Sequence, residues 1–332
     1  MTPGVGSDRE VTAPAGASDA AGVDRAGGLR VLVPVAHPAN AEATCATIRP
    51  FLDGRAAEVV FVNVVERNEG APDNVPPEVM VEEAREVFAI VSERCTDAPW
   101  AAESELLEAS TAIDAIFEAA DELEADVVAF TPRPGNRLTR LLSGNYSRKL
   151  IDRNDRPVIV FPHPERDLLG ANDHEDRDVD PGAAGNDHAR SEIIVAFNAS
   201  AEARRALTLA CSWFRDATIR AVHVTDRRTD GVDESMTGGR SGDLDDAERH
   251  DELATERLID QAREIAGERG VDLETSVLSE NVGDALITYA EEGPVEAVVM
   301  GRAGDPSLRE RFLGGLTRTV VDGAPVPVVV VP

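Results

Sequence analysis

Residues 296–332 read E-A-V-V-M-G-R-A-G-D-P-S-L-R-E-R-F-L-G-G-L-T-R-T-V-V-D-G-A-P-V-P-V-V-V-V-P, and three parts of this stretch decide the fold. The run Ala297-Val298-Val299-Met300 is too short for a core helix and stops at Gly301, which predicts a buried strand. Gly301-Arg302-Ala303-Gly304 then leads through nine residues to Gly314-Gly315, after which Leu316, Thr317, Val320 and Val321 recur at helical spacing. Pro325-Val326-Pro327-Val328-Val329-Val330-Val331 supplies a second apolar strand. Strand, helix, strand in this order predicts a parallel βαβ unit.

Glycines at a strand exit and a helix entry carry a physical implication. A backbone without Cβ approaches an anion closely, and the free N–H groups of the following helix point at it, so a phosphate suits the place. Gly-rich β-to-α turns also serve tight packing alone, and the spacing does not separate the two readings.

Working outward, the same strand-and-helix alternation recurs along the chain. Strands are predicted over Leu29–Val35, Ala57–Val65, Trp100–Leu107, Asp126–Phe130 and Pro157–Pro162. Helices are predicted over Asn40–Leu52, Glu78–Cys95 and Thr111–Glu122. In the second of these, Val79, Val81, Ala84, Val87, Phe88 and Val91 share a face; in the third, Ile113, Ile116 and Phe117 point inward. Pro72–Pro77 reads as a loop. The second series has strands at Ile193–Phe197, Thr218–Val224 and Val271–Leu278, and helices at Ala203–Phe214, Ala247–Gly267 and Asp284–Glu292. A shift of 170 residues aligns Val128, Leu138, Gly144, Arg148, Asp152, Pro157, Val158, Val160 and Pro162 with identical residues, which is an internal repeat. The chain therefore reads as an α/β protein of two tandem copies, each a parallel sheet with helices on both faces.

Residues 1–28 hold almost no large apolar side chain and read as a disordered tail. Residues 163–190 read as a flexible acidic linker, so the copies span 29–162 and 191–332. Asp226–Asp246 reads as a mobile acidic insertion.

Asp plus Glu total 62 against 33 Lys plus Arg, a formal charge of −29, and Lys149 is the single lysine. That balance opposes nonspecific nucleic-acid binding and anionic membrane binding. An acid-rich, lysine-poor surface with few aromatics is similar to those of proteins from salt-accumulating archaea, where screening removes carboxylate repulsion. Cys45, Cys95 and Cys211 are scattered without CxxC spacing, so neither a zinc site nor a disulfide framework follows. No apolar run has the length of a membrane span and no signal pattern opens the sequence, which predicts a soluble cytoplasmic protein.

The glycine stretch resembles the motif of universal stress proteins, G-x-x-G, nine residues, then G and Ser or Thr. Gly301, Gly304 and Gly314 match it, while Gly315 stands where the hydroxyl residue is expected. The resemblance covers about 29–162 and 192–332. It implies a Rossmann-like five-stranded sheet ordered 3-2-1-4-5 in each copy, with a nucleotide in the crevice where strands 1 and 4 splay apart. It implies that the second copy holds ATP, with magnesium accompanying it, against Phe197, Asn198, Val224, Gly301, Arg302, Gly304, Gly314, Gly315 and Thr317. The family's Val-Asp-Gly-Ser at the end of strand 1 is here Phe197-Asn198-Ala199-Ser200, and its His-Val at the end of strand 2 is His223-Val224. His223 is read as a packed histidine rather than a catalyst.

In the first copy Thr131 and Pro134 replace the leading glycines, Asn145 follows Gly144, and strand 1 ends in Val35-Ala36-His37-Pro38. That segment gathers Arg133, Arg137, Arg140, Arg148, Lys149, Arg153 and Arg156, suited either to an anionic partner or to neighbouring carboxylates. His37-Pro38-Ala39-Asn40 lacks the glycine and second histidine of the H-x-G-H of nucleotidyl transferases. With no nucleophile elbow, P-loop or H-E-x-x-H, no catalytic or metal residue is assigned and an enzyme is not expected. A stress sensor or regulatory binder of nucleotide is the first reading. A module working through a protein partner is the second, and a slow ATP hydrolase the third. The family implies further that the copies pair along Pro157–Phe161 and Pro327–Val331 as an intramolecular pseudo-dimer, with a homodimer beyond it as an option.

Overall fold

The computed structural model describes residues 28–66, 77–132, 146–162, 191–224, 241–278, 281–302 and 315–332. The first half runs β1 (Leu29–Pro34), α1 (Pro38–Leu52), β2 (Ala57–Glu66), α2 (Pro77–Cys95), β3 (Ala101–Ala109), α3 (Ala112–Glu122), β4 (Val127–Phe130), α4 (146–153) and β5 (Val158–Val160). The second runs β6 (Glu192–Ala196), α5 (Ala201–Trp213), β7 (Thr218–Val224), α6 (Ser241–Gly267), β8 (Leu273–Leu278), α7 (Val282–Glu292), β9 (Val295–Gly301), α8 (Gly315–Gly323) and β10 (Val328–Val331).

Among the described residues these ten strands form one sheet, ordered β3-β2-β1-β4-β5-β10-β9-β6-β7-β8. Each half supplies five parallel strands in the order 3-2-1-4-5, as the family resemblance implies. The halves join where β5 and β10 pair antiparallel, with Val160 opposite Val328, Ile159 opposite Val329 and Val158 opposite Val330. Two apolar edges that would template unwanted pairing thus cover each other. The sheet's outer edges are β3 and β8, and β3 exposes its first five residues, among them Glu103 and Glu105.

Alternate residues of the central strands point to opposite faces and both faces are buried, which explains the continuous apolar runs. On one face Val31, Val33, Ile193 and Val195 pack with α1, α2, α5 and α6. On the other, Leu32, Val128, Ile194 and Val298 pack with α3, α4, α7 and α8. Each cluster contains residues of both halves, so the core is continuous across the seam. At that seam the Phe51 ring meets Phe161 at 5.6 Å and Phe214 at 6.1 Å, both edge-on. Arg55 lies 4.4 Å from the Phe214 centroid, donates to the Trp213 carbonyl at 2.9 Å and pairs with Glu296 at 2.5 Å.

Helix starts follow local capping. Thr111 accepts from the Asp114 N–H, Ser200 from Ala203 and Asn281 from Gly283, which fixes α3, α5 and α7. Two expectations need correction. The acidic insertion ends early, because Ser241–Asp246 belong to α6; carboxylates that read as solvated linker are also favoured in a first helical turn. Val79 is 52% exposed, so the inward face of α2 begins after it. The expected tail at 1–27, the linker at 163–190 and the insertion at 226–240 lie outside the described residues. Among the described residues no helix is long and apolar enough to cross a membrane.

Candidate functional site

The crevice between strands 1 and 4 of the second half opens at the C-terminal ends of β6 and β9, where Ala196 pairs with Met300. Gly301 ends β9 there. A Cβ on it would meet Glu202 Cβ at 2.6 Å, the Glu202 carbonyl carbon at 2.7 Å and the Ala203 nitrogen at 2.9 Å. The glycine therefore admits the first turn of α5 against the strand end, and the packing explanation left open by the spacing has a physical basis at this position. The glycine also brings the N-terminus of α5 to the crevice.

Arg302 follows, with its backbone and its side chain both engaged within the chain. Its backbone N–H donates to the Val331 carbonyl at 2.6 Å. Its Nη1 donates to the carbonyls of Ile151, Asp152 and Asn154 at 3.0, 2.9 and 2.7 Å. These acceptors lie at the C-terminal end of α4, where helix carbonyls lack internal partners and a cation suits the dipole. The side chain fastens the second half to the first.

The Phe197 side chain is buried in the core and its carbonyl faces Nδ1 of the half-buried His223 at 3.0 Å. Asn198 is exposed, and its Oδ1 accepts from the Ser200 N–H at 3.1 Å. Between them Ala199 takes φ 57, a left-handed conformation at the position where the family motif has glycine. Val224 is partly buried beside Leu278 at the end of β7.

Gly315 heads α8 with nothing within 4 Å of where its Cβ would stand. Thr317 is fully buried, so its hydroxyl is not presented at the surface as a substitute for the missing Ser or Thr. Gly304 and Gly314 lie outside the described residues. Among the described residues no group of three or more His, Cys, Asp or Glu could hold a metal ion.

A family model for the universal stress protein family matches residues 29–162 and 190–332. The chain belongs to the universal stress protein family. Universal stress protein YxiE of Bacillus subtilis is 29% identical over 75 residues, 23% of this chain and 51% of that protein, so the match spans about half the curated relative's length. A universal stress protein from Archaeoglobus fulgidus superposes with a TM-score of 0.61 at 19% identity, covering 91% of this chain and 95% of that one. A functionally unknown protein from Pseudomonas aeruginosa PAO1 gives 0.55 at 13% identity, covering 92% of each chain. These two likenesses extend the shared fold over both universal stress domains.

The first domain places hydrogen-bonded polar side chains at the corresponding strand exit. Thr131, where the second domain has Gly301, is buried; its hydroxyl accepts from Thr44 at 3.1 Å and its carbonyl from Asn40 at 3.3 Å. Counting from the first residues of α1 and α5, Asn40 and Thr44 correspond to Ala203 and Leu207, so the polar pair has no equivalent beside Gly301. Asn63 donates to the Val35 carbonyl at 2.8 Å, and His37 Nδ1 meets Glu83 at 2.6 Å. Nothing in the sequence spacing linked Asn40, Thr44, Asn63 and Thr131; their signal was polar residues on otherwise apolar faces. Of the basic cluster, Arg148 pairs with Asp152, Arg153 with Asp114, and Arg156 with Asp121 and Asp155. Arg133, Arg137 and Arg140 lie outside the described residues, as do Pro134, Gly144 and Asn145.

Proposed function

We propose that this universal stress protein is a regulatory or sensor protein whose second domain binds ATP or a related nucleotide, with magnesium accompanying ATP. The observation that carries the reading is the asymmetry at the exit of the fourth strand. In the second domain Gly301 brings α5 against the crevice and Gly315 leaves open space at the head of α8. In the first domain Thr131 is locked to Asn40 and Thr44. Backbone N–H groups at the start of α8 would receive the phosphates, since a helix N-terminus favours anions and a glycine there adds no bulk. Gly304 and Gly314 would complete the cradle by the family motif. Without the hydroxyl at Gly315, affinity would fall by roughly one neutral hydrogen bond, about 0.5–1.5 kcal/mol.

The two domains act as an intramolecular pseudo-dimer in this reading, supported by the β5–β10 pairing and by the bonds from Arg302 to α4. We place the protein in a salt-rich cytoplasm, on the charge of −29 and the single lysine. Withdrawal of Arg302 and burial of Thr317 favour a second reading, a module that works through a protein partner without nucleotide. Gentle purification in high potassium chloride, identification of any nucleotide released on denaturation, and calorimetric titration with Mg-ATP separate the two. One nucleotide per chain supports the first reading; no retained nucleotide and no binding heat support the second.

A further inference from the structure

Cys45 lies on α1 and Cys95 ends α2, yet their sulfur atoms are 3.7 Å apart. Both are buried free thiols, whereas Cys211 sits on α5 in the other domain. A cleft of about 480 Å³ opens beside Cys45, with Glu42, Arg49 and Arg94 also in its wall. Arg49 is held there by the carbonyls of Arg94 and Asp97, and Arg94 by Glu42 at 3.3 Å.

We propose that Cys45 and Cys95 form a peroxide-reactive dithiol, a modification site in which a hydroperoxide entering the cleft converts the pair to an intramolecular disulfide. One thiol of the pair, as its thiolate, attacks the peroxide, the O–O bond breaks, and the departing oxygen leaves as water or an alcohol after taking a proton. That sulfur is then a sulfenic acid. The second thiol attacks it, the S–O bond breaks, and the hydroxyl leaves as water with the second thiol's proton. Two thiols and one hydroperoxide thus yield one disulfide, one alcohol or water, and one water, with two electrons passing from sulfur to oxygen.

The geometry suits both steps. Bond formation requires the sulfurs to close from 3.7 Å to about 2.05 Å, a movement shared between two neighbouring helices. The contact with Cys45 and the Arg49 guanidinium hold the Cys95 thiol below the usual range, while the contact with Cys95 and burial push the Cys45 thiol up. The α1 helix also carries Asn40 and Thr44, so a disulfide to α2 would tie down the helix that holds Thr131.

The test uses the full chain in its native state with hydrogen peroxide as probe, followed by acid quench, alkylation under denaturing conditions and non-reducing peptide mass mapping. The expected result is a Cys45–Cys95 linked peptide, loss of two of the three free thiols, and full return on treatment with dithiothreitol. The pair should oxidise at least about ten-fold faster than Cys211, which lacks a partner thiol. Cys45→Ser and Cys95→Ser should each form no intramolecular disulfide, the remaining thiol stopping at a sulfenic acid captured by dimedone. Oxidation of Cys211 at the same rate, or linkage only between chains, would overturn the proposal. So would alkylation of both thiols after a dose that oxidises the urea-unfolded chain.

Discussion

Replacing Gly301 by alanine isolates the packing role of the strand-end glycine. The added Cβ would lie 2.6 and 2.7 Å from two Glu202 atoms and 2.9 Å from the Ala203 nitrogen, two of the three contacts being with backbone. Ordinary carbon contacts sit at about 3.5–4.0 Å, so the first turn of α5 must retreat by about 1 Å. That turn is pinned by the Ser200 cap and by Ala203, Ala206 and Leu207, all buried, so it cannot retreat freely. Overpacking of this kind costs about 1–3 kcal/mol. The entropy alanine removes from the unfolded chain, worth about 0.4–1 kcal/mol, offsets part of it. A net loss of about 1–2 kcal/mol should appear as a lower urea midpoint at unchanged slope, with Trp213 at the end of α5 as a local fluorescent reporter. An unchanged or higher midpoint would refute the close-approach argument.

Arg302→Met keeps much of the aliphatic bulk but strips three carbonyls at the end of α4 of their donor. We expect a loss of about 2–3 kcal/mol in urea unfolding and faster amide exchange in 146–153, and an unchanged exchange rate there would contradict the fastening role. Ala199→Gly relieves the left-handed φ of 57 and should raise stability by about 0.5–1 kcal/mol, read as a higher thermal midpoint. Burial pushes the Cys211 thiol from 9.0 up to about 11. The unfolded chain then loses this proton first, so the stability contribution is present below about pH 9 and lost as pH rises toward about 11. Cys211→Ala should flatten that part of the pH profile, and an identical slope in parent and variant would count against it.

The sheet was legible because doubly buried parallel strands read as short unbroken apolar runs, and because Pro157–Pro162 and Pro327–Pro332 repeat the same pattern at one spacing. What the sequence left hidden was the direction of individual side chains. Phe197 follows the last residue of β6, and packing, not the motif, takes its side chain into the core. Arg302 sits in a motif that suggests a ligand, but its target is a helix end some 150 residues earlier, which no local pattern encodes. Cys45 and Cys95 meet through the packing of α1 on α2 and carry no spacing signal. The start of α6 was obscured because acidic residues suit both a linker and a first helical turn.

The central claim is that nucleotide binds at the head of α8 and not in the first domain. Gly315→Asp tests it most directly, because open space surrounds the new side chain and a carboxylate stabilises a helix N-terminus, so the fold should hold. The same carboxylate would stand where the phosphates are expected. Calorimetry with Mg-ATP in high potassium chloride should show binding by the parent, no binding by Gly315→Asp at an unchanged or raised thermal midpoint, and parent-like binding by Asn145→Asp, the counterpart in the first domain. Parent-like affinity in a folded Gly315→Asp variant would contradict the claim.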